Sequence, residues 1–380
     1  MRFGVFSMPE HFPWDNQTLS FDRDIDEMVL AEKLGFDEYW IGEHHSGWYE
    51  NIPVPEYMIA KASALTGRIM LATGVVNLPY HDPFQVAERL AFLDNLTHGR
   101  LIYGFGAGGL PTDWSLHNME GDVMRPRMVE SLEVIRRLTE AREAISYDGE
   151  FWQGQDREIQ VRPHKGRTPE FALAGLTGSN SFELAAKHGW GSLSVHFTPP
   201  KFTNNPTFVD LESHSATLES HAIAAGRDPI EARRQWRIVR EVFVADDRES
   251  AVAQIRAGVK HSYDYLLSVG LGPLMKLDET MDDSELTLDW MIDNGYWLVG
   301  SPDDVNRLVK DLYDRLGGFG TLVLNSRDWG PTDQMTRSME MFARYCIPAL
   351  EGLEVGRPDV ASMVERYAAQ TAAQAAAAPA

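Results

Sequence analysis

Eight short apolar runs, each followed by a segment with apolar residues at helical spacing, constrain this chain more than any single motif. The runs Arg2–Ser7, Glu38–Gly42, Ile69–Val75, Arg100–Gly104, Glu170–Ala174, Gly191–Val195, Gln235–Val244 and Thr321–Asn325 read as strands. Between them, Phe21–Leu34, Pro55–Leu65, Phe84–Leu96, Met128–Leu138, Ser181–Lys187, Leu211–Ala225 and Glu249–Leu267 read as helices. Ser301-Pro302-Asp303-Asp304 starts a further helix with an N-cap, a proline and first-turn acids, and Thr332–Leu350 reads as a closing helix. Ser146–Trp152 reads as a hairpin around Asp148-Gly149. Eight strands alternating with helices predict one α/β domain over residues 1–355, a (β/α)8 TIM-type barrel with insertions. Residues 269–296 fit neither strand nor simple loop and are expected to form an insertion or lid. An Ala-rich tail covers 356–380.

The balance of 35 basic against 56 acidic side chains, a net charge of -21, argues against nucleic acid or an anionic membrane surface as partner. No apolar stretch has the length of a transmembrane helix, and the N-terminus lacks the long apolar run of a secretory signal. The expected compartment is the cytoplasm. The single cysteine, Cys346, rules out an internal disulfide and a Cys-based zinc site, and reads as a buried structural thiol.

In such a barrel the active site lies at the C-terminal ends of the strands. That rule selects Met8 and His11, then Glu43, His44 and His45, then Asn77, Tyr80 and His81. Further along it selects the turn Gly104–Gly109, the segment Ala174–Ser181, then His196 and Phe197, and finally Asp328 and Trp329. Aromatic and apolar residues among the histidines suit an organic ligand. The histidine spacing does not match HExxH, so no metal is expected. No GxSxG elbow supports a nucleophilic serine. The turn GFGAGG departs from GxGxxG; it reads either as a tight exit from a strand or as a place where a flat ring or phosphate approaches the backbone. Thr177, Gly178, Ser179, Asn180 and Ser181 precede a helix, and their hydroxyls suit either a phosphate or N-capping.

Phe36–His45, Thr73–Pro79 with His81 and Pro83, Leu93-Asp94 with Gly99-Arg100, Val299–Asp304 and Phe342–Pro348 together resemble the bacterial luciferase-like flavin-dependent monooxygenases, in consistent order from Arg2 to Leu350. Glu43–Trp48, Gly106–Asp113 and Asp328-Trp329 are similar to the limonene monooxygenase-like branch. Glu50–Pro53 with Pro55-Glu56 resembles diketocamphane monooxygenases.

The resemblance implies a barrel that binds reduced FMN (FMNH2) supplied by a separate NAD(P)H:flavin reductase. With O2 the flavin would form a C4a-hydroperoxide that oxidises a small lipophilic cyclic substrate. It assigns catalysis to His44, as a neutral imidazole, with Glu43 orienting it or contacting the flavin. Flavin contacts fall on Gly74, Val75, Asn77, Gly106, Ala107, Gly108, Ala174 and Gly175, with a non-prolyl cis peptide expected at Gly74-Val75. Luciferase carries an arginine for the flavin phosphate after the fourth strand; Ala107 stands there in this chain. The phosphate then falls to Ser179, Asn180 and Ser181 with Arg125 or Arg127, which implies weak flavin binding. The substrate pocket would comprise Met8, His45, Tyr80, His81, Trp114, His196, Phe197 and Trp329. A homodimer through Pro55–Leu65 and Phe84–Leu96 is also implied. The alternatives on the same barrel are an F420-dependent hydride-transfer oxidoreductase and a non-catalytic flavin-binding relative.

Overall fold

A computed structural model of the chain describes residues 1–8, 10–176, 180–195, 210–271, 281–293 and 297–356. Eight parallel strands close into a barrel: β1 (Arg2–Ser7), β2 (Glu38–Ile41), β3 (Met70–Thr73), β4 (Leu101–Gly106), β5 (Glu170–Gly175), β6 (Gly191–Val195), β7 (Trp236–Val244) and β8 (Thr321–Ser326). Consecutive strands are neighbours, and β1 pairs with β8 with Arg2 opposite Thr321. All eight lie where the apolar runs place them.

The interior is filled by one side chain from each strand: Phe6, Trp40, Ala72, Ile102, Ala172, Leu193, Val239 and Val323. This is the side-chain layering expected of a closed parallel barrel. Beneath it lies a charged layer. Arg237 of β7 donates from Nε and Nη2 to both carboxylate oxygens of Glu38 at 2.7 and 3.0 Å, and from Nη2 to Glu170 at 2.6 Å. Glu38 also accepts the indole N–H of Trp40 at 3.0 Å. Arg237 and Glu38 are fully buried, so each charge depends chiefly on the other for its solvation, with Glu170 and the half-exposed Arg2, 3.2 Å from Glu38, at the edge of the pair.

The helices α1 (Gln17–Leu34), α2 (Pro55–Ser63), α3 (Pro83–Leu96), α4 (Gly121–Glu140), α5 (Asn180–His188), α6 (Leu211–Ala224), α7 (Arg248–Ser268), α8 (Pro302–Leu316) and α9 (Thr332–Met341) surround the barrel. Local chemistry sets their ends. Asn16 caps α1 through the Leu19 N–H, and Gly35 at φ 94° ends it in the left-handed conformation. Ser301 and Asp304 form a capping box on α8.

The structure extends the sequence reading in three places. The helix expected at Met128–Leu138 begins at Gly121, with Pro126 inside its early turns. The hairpin strands are Ile145–Asp148 and Gln153–Arg157, longer than expected. Trp297–Gly300 forms an additional parallel strand on the end of β7. Within the expected insertion, the described residues hold a helix at Leu288–Asp293, and Leu271, Met281 and Leu286 pack with Leu110 and Tyr265. The tail beyond residue 356 lies outside the described residues. Cys346 is buried, and burial pushes its thiol up to about 12. No helix among the described residues is long and apolar enough to cross a membrane.

Candidate active site

A cavity of about 420 Å³ opens at the C-terminal mouth of the barrel. Phe6 and Met8 line it from β1, Glu43 and His44 from the end of β2, and Gly74, Val75 and Asn77 from the end of β3. The turn Gly106–Leu110 and Trp114 line it after β4, Met124 and Arg125 from the start of α4, and Ala174, Gly175, Leu176 and Ser181 around the start of α5. Val195, Glu50 and Leu271 complete the described walls. The peptide between Gly74 and Val75 is cis.

His44 stands between two carboxylates at the cavity wall. Its Nδ1 lies 3.1 Å from Asp113 Oδ2, and its Nε2 lies 3.5 Å from Glu50 Oε2. Asp113 sits in the first turn of a short helix, Pro111–Leu116, that follows the glycine-rich turn. Its other oxygen accepts the His45 backbone N–H at 3.1 Å and the Ser46 hydroxyl at 2.5 Å. Glu50 accepts the Tyr265 hydroxyl at 2.7 Å. Burial opposes a charged imidazole, but Glu50, Asp113 and Glu43 outweigh it and hold the His44 pKa above its ordinary value. Burial likewise opposes the Asp113 carboxylate, yet the bonds from His44, Ser46 and the His45 N–H hold its pKa low. This direction runs against the neutral imidazole expected for His44.

Glu43 does not orient His44. Its Oε1 accepts from His45 Nε2 at 3.0 Å and His81 Nε2 at 2.7 Å, and its Oε2 accepts the Asn77 N–H at 3.1 Å. Burial alone would raise its pKa; the two imidazoles and the Asn77 N–H pull it down to about 2. The orienting carboxylates are Asp113 and Glu50, and sequence reasoning gave neither a role. Both lie in segments that carry the family resemblance, and a carboxylate in the first turn after a glycine-rich strand exit is the signal that marks Asp113.

The profile of the luciferase-like monooxygenases matches residues 1–318. The chain belongs to that family. It is 34% identical over 353 residues to 4-hydroxyprotoasukamycin monooxygenase of Streptomyces nodosus subsp. asukaensis, covering 93% of each chain. It is 32% identical to limonene 1,2-monooxygenase of Rhodococcus erythropolis, covering 92% of this chain and 87% of that one. Among solved structures it resembles the oxygenating constituent of 3,6-diketocamphane monooxygenase of Pseudomonas putida, a type II Baeyer-Villiger enzyme in complex with FMN. The TM-score is 0.77 and the identity 26%, covering 92% of this chain and 98% of that one.

For a luciferase-like monooxygenase, the cavity assembles most of the residues singled out from sequence. Met8, Glu43, His44, Gly74, Val75, Asn77, Gly106, Ala107, Gly108, Trp114, Arg125, Ala174, Gly175 and Ser181 all line it. Others lie elsewhere. His45 and His81 turn to Glu43, and Tyr80 stacks on His117 with ring centroids 4.1 Å apart, so these three stand behind the wall. Trp329 is 1% exposed and packs on Trp297 at 4.6 Å, because the chain leaves β8 outward beneath α7. Asn180 is exposed at the start of α5 and is not among the lining residues. Arg127 donates to the Pro79 carbonyl at 2.9 Å and lies over Trp152, away from the cavity. Ser179, His196 and Phe197, with Pro9, Thr177 and Gly178, lie outside the described residues.

The site also fits a phosphate-bearing planar group. Arg125 lines the cavity with a buried Nη1 that has no hydrogen-bond partner among the described residues. An unpartnered buried guanidinium nitrogen is costly unless an anion completes it.

Proposed function

We propose that this chain is the oxygenating half of a two-component monooxygenase. It would take reduced FMN from a separate NAD(P)H:flavin reductase and use O2 to oxidise a small lipophilic cyclic compound of terpenoid, alicyclic or aromatic type. One observation carries this reading: the same largely apolar cavity holds the unpartnered Nη1 of Arg125 and the doubly braced His44.

Reduced flavin, when bound, supplies the electrons that activate O2. Arg125 and Ser181 would hold its phosphate, with Ala107 leaving room where a side-chain cation is absent. Gly74-Val75, Asn77 and the backbone at 106–108 would lie against the flavin, and Ala174 and Gly175 would face it from β5. Asp113 fixes His44 through Nδ1, which leaves Nε2 to hold or deliver a proton at the cavity wall. Phe6, Met8, Leu110 and Trp114 exclude water from that proton and offer an apolar surface to the substrate.

The chain would act as a cytoplasmic homodimer through α2 and α3, which expose Tyr57 and Phe92. Sedimentation of the purified chain tests the dimer.

The experiment is a single turnover with chemically reduced FMN and isotopically labelled O2 over a panel of terpenes and cyclic ketones. One labelled oxygen atom in product, with an oxygen-dependent transient in the flavin absorbance, supports the reading. Anaerobic substrate reduction by reduced F420, with no oxygen incorporated, would replace it with hydride transfer. Undiminished turnover in His44→Ala would point to a non-catalytic role for this site.

A further inference from the structure

Glu43 is the hub of a second constellation that the proposed chemistry leaves unused. Its carboxylate oxygen Oε1 faces the Nε2 atoms of both His45 and His81, at 3.0 and 2.7 Å. One ligand atom from each of the three residues lies within 4.8 Å of the others. The three side chains come from two strand ends. Glu43 and His45 follow β2, and His81 follows the single-turn helix Leu78–Tyr80 after β3.

The carboxylate is fixed from behind. Oε2 accepts the Asn77 N–H at 3.1 Å, and the Glu43 carbonyl accepts from Asn77 Nδ2 at 2.9 Å. Glu43 is buried, whereas the His45 and His81 side chains are each 18% exposed, so the cluster opens to solvent on its histidine side. Neither Nδ1 atom has a hydrogen-bond partner among the described residues, so only the Glu43 carboxylate holds the ring protons on Nε2, and a cation that takes up the carboxylate frees them to move to Nδ1. The tautomer with the proton on Nδ1 turns two nitrogen lone pairs and one carboxylate oxygen toward a common point.

We propose that Glu43, His45 and His81 bind a divalent transition-metal cation of the Zn2+ class. Two imidazole nitrogens and one carboxylate oxygen are a borderline-soft donor set that favours Zn2+, Co2+ or Ni2+ over Ca2+ or Mg2+. Metal–ligand bonds of about 2.1 Å set tetrahedral ligand atoms roughly 3.4 Å apart. The two Glu43–imidazole separations lie below that value, so small side-chain rotations admit the ion. Water fills the remaining position. The linear spacing hides the site because its third ligand comes from the next loop. An ion there ties the end of β2 to the end of β3, directly behind the residue that precedes His45. The proposal concerns metal binding alone and does not rest on the flavin reading.

The test uses the full chain stripped with a chelator. Zn2+ titrated by calorimetry should bind one ion per chain and raise the melting temperature. His45→Ala and His81→Ala should each weaken that binding by about tenfold or more, with circular dichroism unchanged. Co2+ absorption of the unaltered chain gives a readout that needs no variant. An intense four- or five-coordinate spectrum supports the site, and a weak six-coordinate aqua-like spectrum overturns it. Zn2+ affinity equal in the unaltered chain and in the His45→Ala/His81→Ala double variant also overturns it, as does no binding at all.

Discussion

His44 Nδ1 lies 3.1 Å from Asp113 Oδ2, an ion pair that joins the loop after β2 to the short helix after β4. A buried carboxylate on Nδ1 fixes the ring plane and leaves Nε2 at the cavity wall, 3.5 Å from Glu50 Oε2. Asp113→Asn keeps the shape and removes the charge. Turnover should fall about 10- to 100-fold with little change in flavin affinity, measured by single-turnover kinetics with reduced FMN. Flavin affinity falling in step with turnover would mean that Asp113 supports the cavity's shape instead.

The same pair sets a pH dependence. His44 is biased toward its protonated form by Glu50 and Asp113. A proton-donating step should therefore decline as pH rises through a His44 pKa above 6.5. Glu50→Gln removes the first of the charges that raise that pKa, so the declining limb should move to lower pH in the kcat profile. A limb that stays in place would assign it to another group. The linkage to folding has the same sign: the stability His44 contributes is full below its unfolded value and is lost as pH rises through its folded one.

Glu43 behaves oppositely. Its pKa is depressed from 4.5 to about 2, so its contribution is present above the unfolded value and is lost as pH falls toward 2. The shift corresponds to about 3 kcal/mol at neutral pH. Acid unfolding of Glu43→Gln should show a shallower loss of stability across that window, with lower stability at pH 7. Parallel denaturation curves at several pH values measure both.

Arg125→Ala should weaken FMN binding roughly 10- to 100-fold, the loss expected for one charge-assisted contact to phosphate. Riboflavin, which lacks the phosphate, should bind the variant and the unaltered chain alike. Flavin fluorescence titration separates the two ligands. The unaltered chain should itself release FMN on dialysis, because Ala107 offers no cation; full retention of flavin would contradict that.

Arg237→Ala leaves the buried Glu38 with only the half-exposed Arg2, 3.2 Å away, as a cationic partner. The expected cost is about 3 to 5 kcal/mol, read as a lowered urea midpoint at unchanged slope. Arg237→Lys should recover only part of it, because one ammonium cannot serve both oxygens of Glu38 and the Glu170 carboxylate at once.

The barrel was legible because its strands are buried on both faces and therefore appear as continuous apolar runs, from Phe3-Gly4-Val5-Phe6 to Leu322-Val323-Leu324. Trp297–Gly300 escaped notice because its four residues run straight into the Ser301 cap of α8 and looked like part of the helix start. His44 was found from its place at a strand end. Asp113 was not, since its partnership crosses 69 residues and depends on how the chain folds back after Gly108 and Gly109. Side-chain direction was the least legible property. Met8 and Trp114 do face the cavity, whereas Trp329, from the same kind of position, turns beneath α7. There the backbone of Trp329 lies so near Gly258 that a Cβ on that glycine would stand 2.0 Å from its carbonyl oxygen.

The charged layer beneath the barrel interior bears on how such a molecule can be assembled. Glu38 belongs to the first four β/α units and Arg237 to the last four. A polypeptide ending after α4 would have to enclose the Glu38 carboxylate with only the half-exposed Arg2, 3.2 Å away, as counterion, and one starting at β5 would enclose a guanidinium with Glu170 alone. Neither half is self-sufficient, so this molecule does not lend itself to reconstitution from two separately folded pieces. Closure of the ring and neutralisation of its floor are one event.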